Sequence, residues 1–104
     1  MTTDKELLEL AAKAAGIEIY TQIGNTILYK IGKYLGHWNP LTSNDDALRL
    51  AVKLDMGFEV MKALKEVRVG DGCGEIITER YSDDPYAATR RAIVRAAAEI
   101  GKAA

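Results

Sequence analysis

The chain has 104 residues, 48% hydrophobic and 28% charged, with a formal net charge of −1. This is the composition of one globular domain, 1–104, and not of a disordered, collagen-like or membrane chain; a domain of this size folds without staples. Interspersed acids and bases argue against a broad phosphate-binding surface, and a lone cysteine, Cys73, excludes an internal disulfide. Met1 to Ala15 lacks a charged-then-apolar leader and no apolar run approaches eighteen residues, so the expected place is the cytosol, with no membrane partner.

The first predicted helix is capped by Thr3 with Glu6 three residues on, directs Leu7, Ala11 and Ala14 to the core, and stops at Gly16. At Ile17 the period changes to two: Ile17, Ile19, Thr21 and Ile23 alternate with Glu18, Tyr20 and Gln22, the pattern of a half-buried strand. Gly24-Asn25 turns the chain into a second strand, Ile27 to Ile31, whose apolar residues on both faces suit a central position with cover on both sides. Gly32 to Pro40 reads as a connection, and holds the only tryptophan and the only histidine.

Ser43 or Asn44 caps the next helix, Asp45 and Asp46 occupy its first turn, Ala47, Leu50, Ala51 and Leu54 form its buried stripe, and Gly57 ends it. Strands are expected at Phe58 to Val60, Glu66 to Val69 and Glu75 to Glu79, with Gly70-Asp71-Gly72-Cys73-Gly74 as a turn. Asp84 caps the last helix and Pro85 takes its first position; Ala88, Ala92, Val94, Ala96, Ala97 and Ile100 are suited to close packing. The expected fold is α+β in the order α-ββ-α-ββ-α, a mainly antiparallel sheet with helices packed on both faces, an α/β/α sandwich. Asn39-Pro40 and Asp84-Pro85 echo one another, which shared capping physics explains as well as duplication does.

Few residues carry chemistry. His37, Trp38 and Asn39, with Asp45 or Arg49, are the candidate binding residues, because an aromatic plate beside a titratable donor and an amide is a usual recognition set. The competing reading makes Trp38 a lid on the core and Asn39 a loop hydrogen-bonder. Asp45 and Asp46 diverge by about 100° on a helix and do not converge on one atom; helix-start electrostatics explains them. The glycine-rich turn lacks the following helix of a phosphate loop, and Cys73 has no histidine nearby in sequence to activate it. Arg90, Arg91 and Arg95 offer a small basic edge that an ordinary solvated helix face also explains. No catalytic residue, metal ligand or cofactor is therefore assigned, and nucleic acid ranks last among partners.

Three segments resemble the phage ABA sandwich domain, a family of small uncharacterised bacteriophage and prophage proteins. They are Lys5-Glu6-Leu7-Leu8-Glu9-Leu10-Ala11-Ala12-Lys13-Ala14-Ala15-Gly16, Trp38-Asn39-Pro40-Leu41 with Asp46-Ala47-Leu48-Arg49-Leu50-Ala51-Val52-Lys53-Leu54, and Asp84-Pro85-Tyr86-Ala87-Ala88-Thr89-Arg90-Arg91-Ala92-Ile93-Val94-Arg95-Ala96-Ala97-Ala98. The resemblance implies a helix/sheet/helix sandwich of phage or prophage origin in the bacterial host cytoplasm, and brings no activity or site residues with it. The expected role is a non-enzymatic accessory protein that contacts a host or phage protein, with a homodimer possible, through an exposed part of Tyr34 to Leu41 or a sheet edge. The alternative is a small-ligand or nucleotide-binding domain, conceivably a weak enzyme, using the Tyr34 to Leu41 segment.

Overall fold

The computed structural model describes residues 3–23, 26–31, 34–70 and 74–103. Three helices and six strands follow in the order α1 (Asp4–Ala15), β1 (Ile19–Ile23), β2 (Thr26–Ile31), β3 (Tyr34–Trp38), α2 (Asn44–Lys53), β4 (Gly57–Met61), β5 (Glu66–Gly70), β6 (Ile76–Arg80) and α3 (Pro85–Ala103). The strands form two antiparallel meanders, β1-β2-β3 and β4-β5-β6. The chain is α+β, as its periodicities indicate, but it builds two sheets about one group of helices instead of one sheet between two helical layers. The first expected hairpin is three-stranded because β3 forms from a segment read as a connection, while β4, β5 and β6 correspond to the three strands expected in the second half.

Helix ends follow their local chemistry. The Glu6 amide donates to Thr3 Oγ1 (3.2 Å) at the start of α1. At its end Gly16 takes φ +70°, a left-handed conformation, while the Gly16 and Ile17 amides close on the Lys13 and Ala12 carbonyls. The Asp46 amide donates to Ser43 Oγ in α2, and the Ala87 amide to Asp84 Oδ1 in α3. Helix α2 stops at Lys53, with Asp55 at φ +56°, and Gly57 opens β4 instead of ending the helix.

Helix α3 is the centre of the molecule. It packs on α1, α2 and sheet β4-β5-β6, and Ala88, Ala92, Ile93, Val94, Ala96, Ala97, Ala98 and Gly101 are buried along it. The fit to α1 is closest at Gly101, where a Cβ would overlap the Leu10 carbonyl. On α1 the buried residues are Leu7, Leu8, Ala11, Ala12 and Ala15, with Ala14 only half-buried. Val67 and Val69 of β5 turn their side chains to the core, and Ile27 and Trp38, a cross-strand pair in the other sheet, are buried in the same cluster.

The outer face of β4-β5-β6 carries a charged cluster, with Ile76 exposed at its margin. Glu66 lies 3.5 Å from Arg68 and 3.6 Å from Arg80, and Glu59 faces Arg68 across the strands. Strand β1 departs from its expected half-burial: Ile19 and Ile23 are exposed. It is an edge strand, and a register shift between Ile19 and Thr21 breaks the alternation that would have put its isoleucines on one face.

Candidate functional site

The five sequence-derived candidates do not form one site. Trp38 is 6% exposed on β3, paired with Ile27, so it belongs to the core. His37, its neighbour on the strand, is exposed on the opposite face, as strand alternation requires. Asn39 builds the turn: its amide donates to Asp46 Oδ2 (2.9 Å), its Oδ1 accepts from the Leu41 amide (3.1 Å), and its carbonyl accepts from the Ser43 amide (2.9 Å). The Tyr34 to Leu41 segment is thus mostly strand and turn, with Pro40 buried.

Trp38 and Arg49 are brought together. They line a cleft of about 520 Å³ between α1, α2 and the first sheet, with Tyr29, Asp46 and Lys53 also on its walls. Arg49 is 78% exposed at its side chain and lies 4.0 Å from Asp46 Oδ1. Tyr29 lies over Gly36 on the adjacent strand, filling the place a Cβ would take, so Gly36 is what admits the ring there.

Asp45 belongs to a second cleft of about 410 Å³, between α2, β4 and α3. Its walls are mainly apolar: Ala47 and Leu48 of α2, Phe58 and Val60 of β4, Tyr86 and Ile93 of α3. Leu48 is 55% exposed, Phe58 47%, Val60 37% and Tyr86 69%. Arg90 fixes the cleft floor, donating from Nε to the Leu41 carbonyl (2.8 Å) and from Nη1 to Asn44 Oδ1 (2.7 Å).

The backbone of β4 completes this surface. The Tyr81 amide donates to the Lys65 carbonyl, one step beyond the Glu66–Arg80 pair. Strand alternation then turns the Val67 and Val69 backbone groups toward β6, and those of Glu66, Arg68 and Gly70 toward β4. Met61, Glu59 and Gly57 answer them. The N–H and C=O groups of Phe58 and Val60 therefore point away from the sheet, on an edge that pairs with no strand among the described residues. Phe58 and Val60 face Val69 and Val67, so their side chains share the inner, apolar face.

Sequence reading missed this cleft. Its signal was present in Leu48, off the Leu50, Ala51 side of α2, where a solvated helix carries polar residues.

The other proposed chemistries have ordinary partners. Arg91 pairs with Asp4 of α1 at 2.9 Å, and Arg95 pairs with Glu79 and donates to the Thr78 carbonyl, so both arginines tie α3 to its neighbours. Cys73 lies outside the described residues. Among the described residues no three His, Cys, Asp or Glu side chains converge as metal ligands, and no helix is long and apolar enough to cross a membrane.

What fold and surface define together is a small α+β domain with an open apolar cleft beside an unpaired strand edge. In comparisons with known proteins, no family model, no curated protein and no solved structure matches the chain.

Proposed function

We propose that the chain is a non-enzymatic accessory protein that works by protein contact, with the α2–β4–α3 cleft as its docking surface. The observation that carries this reading is the apolar cleft joined to a strand edge whose Phe58 and Val60 backbone groups are free to pair. Apolar side chains exposed together beside unpaired backbone suit a protein partner, which supplies both side chains and hydrogen bonds. The likeness of the three helical segments to phage ABA sandwich proteins supports a phage or prophage origin and action in a bacterial cytoplasm. The test is capture from a bacterial extract on the immobilised chain, beside Leu48→Asp in this cleft and Arg49→Glu in the other. A protein retained by the parent and by Arg49→Glu but lost by Leu48→Asp is the expected result; equal retention by all three contradicts it.

A second reading rests on the Trp38 cleft, where Tyr29, Trp38, Arg49 and Lys53 offer two rings and two cations to a small anionic ligand such as a nucleotide. Titration with ATP, followed by the emission of the only tryptophan, decides it. Saturable change that Arg49→Glu abolishes favours the ligand; an unchanged spectrum disposes of it.

A further inference from the structure

We infer that the occupant of the α2–β4–α3 cleft is an extended segment of another protein, which adds to the β4 edge as an antiparallel strand and carries a basic residue between two apolar ones. This rests on the reading of that cleft as a protein-docking surface and names what docks there.

The open part of the edge is short. The Met56 amide donates to the Ala51 carbonyl (2.9 Å) and the Lys62 carbonyl accepts from the Lys65 amide (3.3 Å), so the backbone is engaged within the chain on either side of the strand. Between them Phe58 and Val60 each turn an N–H and a C=O away from β5. Three residues of an antiparallel strand meet all four groups, the first exchanging both bonds with Val60 and the third with Phe58. A parallel strand needs five residues to reach the same groups. The other edge of the sheet offers no such place, because on β6 the inward-facing Glu79 is held by Arg95 and an added strand would have to bury that pair.

Strand alternation then assigns the side chains of the incoming segment. Its first and third residues fall on the inner face with Phe58 and Val60 and enter the cleft against Leu48, Tyr86 and Ile93, which calls for apolar groups. Its middle residue falls on the outer face, directly opposite Glu59.

Charge selects that middle residue. Glu59 is exposed and forms no ion pair among the described residues, since Arg68, its neighbour on β5, lies 3.5 Å from Glu66. Asp45, on the α2 wall of the cleft, is likewise exposed and unpaired among them. Of the two cations on the cleft wall, Arg90 is held by the Leu41 carbonyl and Asn44, and Lys62 stands past the end of β4. The charge left open beside the free backbone is therefore negative, and it suits Lys or Arg. It also disfavours a second copy of this chain, because pairing β4 with itself through Phe58 and Val60 brings two copies of Glu59 face to face.

The experiment is fluorescence anisotropy of a dye-labelled, end-blocked peptide, Gly-Ser-Leu-Lys-Val-Ser-Gly, titrated with the full chain, beside a twin peptide with Glu in place of Lys. Glu59→Lys, Glu59→Gln and Leu48→Asp are measured with the parent, and circular dichroism confirms that each is folded. The parent is expected to bind the lysine peptide saturably and about three- to tenfold more tightly than its twin. Glu59→Lys should reverse that preference, Glu59→Gln should remove it, and Leu48→Asp should weaken both peptides alike; the glutamine variant keeps the test valid if the charge reversal disturbs the strand. Absence of saturable binding overturns the inference, as does a preference that neither Glu59 variant changes. If the peptides fail while Leu48→Asp still abolishes capture of another protein, this occupant is refuted and the docking surface stands.

Discussion

Gly101 is the residue on which the closest helix contact depends. A methyl group there meets the Leu10 carbonyl, which is backbone and cannot swing aside, so α1 and α3 must separate. Gly101→Ala is expected to destabilise the domain by about 1–3 kcal/mol despite its better helix propensity, read as a lower urea midpoint at unchanged slope. Gly36→Ala meets only the end of the Tyr29 ring, which can rotate, and is expected to be milder. Trp38 gives the other clear residue-level expectation: at 6% exposure its emission should be blue-shifted and poorly quenched by iodide. Red-shifted, readily quenched emission would mean that the first sheet does not close on the core. Composition showed Trp38 as the unusual residue of its segment, but burial depends on its pairing with Ile27, which the sequence does not state.

At the scale of elements, helices were more legible than strands because their ends carry local chemistry. Thr3 with Glu6, Gly16, Ser43 and Asp84-Pro85 each act within a few residues, and each is found at its helix end. Asp84→Ala removes the acceptor for the Ala87 amide and is expected to cost about 1 kcal/mol, as a fall in thermal midpoint that Asp84→Ser largely restores. Strand β3 was missed for the opposite reason. Its glycine argues against a strand locally, and only the Tyr29 ring from the neighbouring strand fills the space that Gly36 leaves. In β1 the alternation was real, but a register shift and an edge position put its isoleucines in water. The α2 stripe was read correctly for Ala47, Leu50 and Ala51, whereas Leu48 fell outside the pattern and proved to line the apolar cleft.

For the whole molecule, the α+β class was legible and the number of sheets was not. Each half is a three-stranded meander followed by a helix, and whether two meanders merge into one sheet is decided by edge-to-edge contacts that periodicity does not encode. The Asn39-Pro40 and Asp84-Pro85 echo is only partly structural: Pro85 opens α3, while Pro40 is buried in a turn ahead of Ser43, the residue that caps α2. Leu48 hinted at an apolar surface on α2, but the cleft itself was not legible in the sequence because its walls come from three elements far apart in the chain, and because an unpaired edge is a property of topology. The most direct test of the α2–β4–α3 cleft as a docking surface is amide hydrogen exchange along β4 with and without the protein captured from extract. Glu59 and Met61, bonded to β5, should be protected in both, while Phe58 and Val60 should gain protection only when the partner is bound. Fast exchange at Phe58 and Val60 with the partner bound would contradict docking at this edge.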